Sequence, residues 1–274
     1  MKDGKVERKN DILLGPIERP ILNWLAKHMP EWVNSDMLTV LGIFGSALTL
    51  VSGIMAGKTG GPYQNPWILV LCLGFVINWF GDSLDGTLAR YRHKERPNFG
   101  YFIDHSVDGF TALCMFLGFG FAGISSLLVA AFGAIGYMLM MITVYLKTHV
   151  TGVFEMTTIK IGPTELRVLA IIFSLVHYFL EPVPVRVPFA GGEEIKLGTF
   201  VVGVIAAILF IYYVVETIRV GRRLAIEDGK RLERRLAKEA KAAEKEMKKM
   251  EKEFKKSSKK SNGNNALGDI SRIN

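Results

Sequence analysis

Cysteine is nearly absent from this chain: two residues in 274, Cys72 and Cys114, each inside an apolar run. That argues against a disulfide framework or a thiolate metal site and leaves both as small buried residues. No His/Cys set stands at zinc-ligand spacing either. The N-terminal stretch "MKDGKVERKNDILLGPIERP" lacks a short apolar core with a small-residue cleavage site, so no signal peptide is expected. Net charge is missing from most of the chain as well. Residues 1–221 hold 17 Lys+Arg and 17 Asp+Glu, whereas residues 222–274 hold 17 and 9, so the whole formal charge of +8 belongs to the tail. A basic tail can bind nucleic acid, but beside a membrane segment the nearer partner is anionic lipid headgroup. No nucleic-acid partner is expected.

What the chain has in quantity is apolar sequence, 49% of residues with a mean hydropathy of +0.25. Long runs recur, and a lipid span needs about 20 mostly apolar residues. The pattern predicts helices near 36–56, 66–90, 100–120, 124–147, 165–183 and 197–220, hence an all-α integral membrane fold with six spans. A large soluble bundle would show polar faces at helical spacing, and "VVGVIAAILFIYYVV" has none. Basic residues concentrate in 1–35, in 91–99 (Arg92, Lys94, Arg96), around Lys160 and at the C-terminus. The positive-inside rule then places both termini in the cytoplasm, which needs an even number of spans.

Three segments follow: 1–35, a six-helix membrane domain at 36–221, and a basic tail at 222–274. In the first, "GPIERPILNWLAKHMPEWV" mixes Ile17, Leu22, Trp24 and Leu25 with charged residues, which suits a helix lying in the membrane interface or one packed on protein. Asp36 or Ser35 could cap the first span. The tail reads as helical to about residue 260 and disordered after it, with attraction to anionic membrane lipid. Homodimerisation is left open.

The runs are interrupted by acids. "GDSLDGTLAR" (81–90) ends the second predicted span with Asp82 and Asp85, and Asp104 and Asp108 open the third. Asp85-Gly86-Thr87-Leu88 resembles the end of the haloacid-dehalogenase phosphatase motif, but Ser83 stands where that motif needs its nucleophilic aspartate. On a helix each pair shares one face, and a short connection allows the two faces to meet. Carboxylates packed together near a bilayer repel strongly, and two hard divalent ions would resolve this. Gly86, Ala89 and Gly100 leave room for a ligand, and Arg90 can fork onto phosphate.

The pattern Asp82-x2-Asp85-Gly86-x2-Ala89-Arg90-x9-Gly100-x3-Asp104-x3-Asp108 resembles the signature of the CDP-alcohol phosphotransferase family, membrane enzymes of phospholipid synthesis. The resemblance implies that a hydroxyl attacks the phosphorus of a CDP-linked donor and CMP leaves. It implies two ions, Mg²⁺ or Mn²⁺, on Asp82, Asp85, Asp104 and Asp108, with Asp108 also the general base; His105, an imidazole beside the site, is the alternative base on chemical grounds. It implies a nucleotide site shaped by Gly86, Ala89, Arg90 and Gly100. "SDMLT" resembles the family's Pro-Asn-x-x-Thr, with Thr39 matching and Asp36 replacing Asn, which extends the nucleotide set to both. The site would lie at the cytoplasmic interface.

His105 after Asp104 resembles the choline/ethanolamine phosphotransferase branch, in which the CDP group carries the small alcohol and diacylglycerol attacks. "DGTLAR" departs from that branch's Lys-Gln between Gly and Ala, and the compact chain favours CDP-diacylglycerol as donor. The alcohol pocket is expected near the fourth connection, with Lys147, His149, Glu165 and Arg167 as candidates. A divalent-cation transporter would also use intramembrane aspartates, but it leaves Gly86, Ala89, Arg90 and Gly100 without a purpose.

Overall fold

A computed structural model describes residues 13–151, 163–181, 183–186 and 194–270, with side chains described through residue 253. It is all-α apart from one small ribbon. The order is α1 (Gly15–His28), α2 (Ser35–Lys58), α3 (Pro66–Tyr91), α4 (Pro97–Phe121), α5 (Leu127–Thr151), α6 (Pro163–Phe179), β1 (Pro184–Arg186), β2 (Glu194–Lys196) and α7 (Leu197–Ile270). The antiparallel β1–β2 pair, centred on Val185 opposite Ile195, has no counterpart in the helical reading of the sequence.

Helix starts follow local chemistry. Proline opens α3, α4 and α6, where a missing N–H costs nothing. Asn65 precedes Pro66 and accepts from the Trp67 N–H at 3.1 Å. The cap of α2 is Asn34, whose side chain accepts from the Met37 N–H at 2.9 Å, and neither Asp36 nor Ser35 serves as the cap. The reason is register. Helix begins one residue earlier than expected, so Ser35 is already helical and its hydroxyl donates instead to the Asp85 carbonyl at 2.8 Å.

Among the described residues, four helices are long and apolar enough to cross a membrane: α2, α3, α5 and α7 from its apolar start. Two of the remaining helices, α4 and α6, carry charged residues of their own. α4 has Asp104 and Asp108 in its first half, and α6, at 17 residues, contains Glu165 and Arg167. Within residues 1–217 the burial pattern is that of a membrane protein. Val40, Phe44, Leu73, Phe132, Leu146 and Ile172 are exposed, while Ser46, Thr49, Ser52, Asn78, Ser174 and Glu216 are buried.

Packing centres on α2, which lies against α3 along its length and also against α4. Glycine makes the close seam possible: a Cβ on Gly45 would meet the Asn78 backbone, and one on Gly81 would meet that of Gly42. α5 packs on α4, α6 on α3, and α1 on the C-terminal half of α3. One core gathers Ile68, Leu71, Phe75, Phe116, Phe119 and Ile124. A second joins Leu22 and Ala26 of α1 to Leu38, Leu84 and Leu88. α1 thus buries one apolar edge on protein, yet leaves Ile17, Ile21 and Trp24 exposed.

The chain divides into two units at Thr217/Ile218. The second is solvated helix, braced by Arg223–Glu227, Arg235–Glu239 and Glu244–Lys248 at i,i+4 spacing. Helix continues to Ile270, past residue 260 where composition predicts its loss, because extending an existing helix costs far less than starting one.

Candidate metal and nucleotide site

The C-terminal third of α3 and the first half of α4 carry the acids. Carboxylate oxygens of Asp82, Asp104 and Asp108 lie within 4.8 Å of one another, a group able to hold a metal ion. Acid oxygens without histidine or thiolate suit a hard divalent ion such as Mg²⁺, Mn²⁺ or Ca²⁺ rather than zinc. Asp108 is the more enclosed of the α4 pair, with 14% side-chain exposure against 44% for Asp104.

Asp85 stands outside this group. Its Oδ2 accepts from Thr39 Oγ1 at 2.5 Å and its Oδ1 from the Gly86 N–H at 2.5 Å. Thr39 therefore sits beside Asp85. Asp36 does not: it is exposed and forms an ion pair with Arg96, just ahead of α4.

A cleft of about 470 Å³ opens next to Asp82. Ser83, Thr87 and Arg90 of α3 line it with Arg167 of α6, and Arg19 and Asn23 of α1 form another wall. Arg90 donates to Thr87 Oγ1 at 3.1 Å, which aims its guanidinium along this edge. Gly86 and Gly100 are not packing glycines. A Cβ on Gly86 would meet only the tip of Arg90, at 3.3 Å, and one on Gly100 would meet nothing. Helix packing thus gives no reason for glycine at either position. Ala89 is half-buried beside them.

His105 is clamped between aromatic rings, stacked on Tyr145 at 4.8 Å and edge-on to Tyr101 at 4.2 Å. Its Nδ1 lies 3.7 Å from both Asp104 Oδ2 and Asp108 Oδ2, inside ion-pair range but beyond hydrogen-bond length.

The four alcohol-pocket candidates disperse. Arg167 alone lines the cleft. Its Nη2 donates to Asp82 Oδ2 at 2.5 Å and its Nε to Asn78 Oδ1 at 2.7 Å. Glu165 accepts the Leu14 N–H at 2.7 Å, Lys147 pairs with Glu216 at 2.8 Å, and His149 is exposed at the end of α5. Most of the connection that prompted those candidates, 152–162 with Lys160, lies outside the described residues.

Sequence reading missed the contribution of α1. Glu18 Oε1 accepts from Trp79 Nε1 and from Thr164 Oγ1, both at 2.8 Å, so this helix clasps α3 and the start of α6 over the cleft. The available signal was a polar face of Glu18, Arg19 and Asn23 on an otherwise apolar segment. Arg92, counted above only as a topogenic charge, donates to the carbonyls of Met29 and Pro30 at 3.0 and 2.8 Å and to that of Val33.

Clustered carboxylates beside an arginine-edged cleft could hold a divalent metal ion next to an anionic ligand. Residues 32–219 match the CDP-alcohol phosphatidyltransferase family model, and the chain belongs to that family. Among curated proteins it is similar to cholinephosphotransferase 1 of Danio rerio, 28% identical over 204 residues, 70% of this chain and 50% of the relative. The Bos taurus protein of the same name is 30% identical over 171 residues, 60% of this chain and 40% of the relative. The chain spans half or less of the length of these relatives. Its apolar helices and these relatives identify an integral membrane protein.

Proposed function

We propose that the protein transfers a substituted phosphate from a CDP-linked donor to an alcohol hydroxyl, releasing CMP. The observation that carries this reading is the group formed by Asp82, Asp104 and Asp108 beside a cleft edged by Arg90. When bound, two divalent ions would neutralise the carboxylates and stabilise charge on the donor's diphosphate. Asp82, Asp85, Asp104 and Asp108 would hold them, with Asp85 turning from Thr39 to do so. Arg90 and the open space at Gly86 and Gly100 receive the nucleotide and its phosphates. Asp108 takes the proton of the attacking hydroxyl, since an alcohol is a poor nucleophile until that proton is accepted. The new bond joins the acceptor oxygen to the donor's phosphorus, and the bond from phosphorus to the CMP oxygen breaks.

For the substrate we favour a CDP-linked amino alcohol as donor and diacylglycerol as acceptor. The relatives are named cholinephosphotransferase, and His105 follows Asp104 as in that branch. This reverses the preference for CDP-diacylglycerol drawn from the sequence alone. That second reading keeps one observation in its favour, "DGTLAR" in place of the branch's Lys-Gln.

Six spans, α1 in the interface, cytoplasmic termini and a site on that face complete the proposal. It rests on the basic residues of 90–96 beside the acids and on the exposed Ile17, Ile21 and Trp24. Incubating the purified protein with CDP-choline, CDP-ethanolamine or CDP-diacylglycerol and a panel of alcohols, with thin-layer separation of labelled lipids, tests the assignment. Phosphatidylcholine or phosphatidylethanolamine formed from diacylglycerol supports it. Product only from CDP-diacylglycerol supports the second reading, and CMP release from no donor sinks both.

A further inference from the structure

Arg167 bonds directly to the acid cluster through Asp82. It comes from α6, 85 residues along the chain from the carboxylate it binds. Its side chain is 7% exposed, and that of Asp82 is 17% exposed. The guanidinium is held at two of its nitrogens, by Asp82 through Nη2 and by Asn78 through Nε. Asn78 is itself fixed, donating to the Gly42 carbonyl at 3.0 Å and to Ser46 Oγ at 2.9 Å. The third nitrogen, Nη1, is buried with no acceptor. A buried guanidinium donor left unpaired is costly, so the arrangement is not a finished structural ion pair. The root of α6 is anchored as well, because Thr164 donates to Glu18 and Glu165 accepts from the Leu14 N–H.

We infer that Arg167 is a built-in counter-ion for the cation-free site: it holds Asp82 until a divalent ion arrives and yields that carboxylate to it. The inference rests on the reading of Asp82, Asp104 and Asp108 as metal ligands. Three carboxylates within 4.8 Å of one another would repel strongly in a partly buried setting without positive charge. One guanidinium relieves part of this. Its Nη2 is bonded to Asp82 Oδ2, so protein cation and metal ion draw on the same carboxylate. Arg167 is in this sense a positioning residue: it keeps the helices at the site assembled while empty and lowers the affinity for the ion that displaces it.

The competition gives opposite signs for stability and affinity, which a purely structural arginine would not. Full-length protein in detergent is titrated with Mn²⁺, and free ion is counted by its electron paramagnetic resonance signal. Arg167→Gln should bind Mn²⁺ more tightly by about tenfold or more, a decade being roughly 1.4 kcal/mol. Without metal it should melt below the wild type, and saturating Mn²⁺ should close most of that gap. Arg167→Lys keeps the charge and should bind close to the wild-type value. Unchanged or weaker binding by Arg167→Gln overturns the inference while leaving the metal site standing, whereas absence of Mn²⁺ binding by wild-type protein overturns both. If Arg167→Gln does not accumulate folded, wild-type structures with and without Mn²⁺ decide. The Arg167–Asp82 pair should open when the ion binds, and an intact pair beside a bound ion overturns the exchange.

Discussion

The two parts of α3 use the same residue types for different ends. From Ile68 to Gly81 the helix is packing surface. Ile68, Leu71 and Phe75 are buried, and Gly74 and Gly81 let α2 approach until no Cβ would fit. From Asp82 to Arg90 small residues persist, but nothing fills the space beside Gly86 except an arginine tip. A glycine at an occupied seam is required by packing, whereas Gly86 is not. Polar side chains divide the same way. Asn78 is wholly engaged within the fold, whereas Asp82 faces the cleft and is held by Arg167.

Changes on either side of Gly81 should therefore separate stability from activity. The largest effect is expected at Asp108, one turn further along α4 than Asp104. Asp108→Asn keeps the shape and removes the proton acceptor, so turnover should fall by about 10²–10⁴ while donor binding persists. Loss of donor binding would make Asp108 mainly a metal ligand, and a greater rate loss in His105→Ala with binding intact would move the base to His105.

Next comes Gly81→Ala, whose new methyl meets α2 backbone and should cost about 1–3 kcal/mol, read as a lower melting temperature. Gly86→Ala is the counterpart. Its methyl meets only a flexible side-chain end, and alanine is the better helix former by up to about 1 kcal/mol, so stability should hold or rise. Its apparent affinity for the CDP-donor should drop. Equal destabilisation by both alanines would erase the contrast between the two parts of the helix.

The smallest effect belongs to the tail. Its surplus of basic residues should attract anionic lipid at roughly 1 kcal/mol per residue near the surface, less at high salt. Truncation after Gly221 should weaken the dependence of activity on anionic lipid and leave CMP release intact in neutral detergent. A truncated protein inactive in every detergent and lipid would make the tail part of the catalytic fold.

Helix positions and the spacing of the acids were legible because both follow from helical periodicity. Apolar runs mark the segments, and i,i+3 or i,i+4 spacing puts each acid pair on one face. Side-chain direction was not legible. Asp85 turns to Thr39 because a hydroxyl on α2 offers a short hydrogen bond, a fact of helix packing rather than of spacing. The Arg167–Asp82 contact spans 85 positions, and only the packing of α6 on α3 creates it. The α1 clasp through Glu18 was hidden for the same reason. Asn34 as the cap of α2 turned on a shift of one residue, which composition cannot fix.

The central claim is that the acids joining α3 and α4 perform phosphotransfer, and CMP release by purified full-length protein with and without chelator tests it most directly. With CDP-choline, diacylglycerol and Mg²⁺ or Mn²⁺, CMP and labelled lipid should appear in equal amounts. Excess EDTA should stop both, and added divalent ion should restore them. Turnover that continues unchanged in excess EDTA would contradict the account.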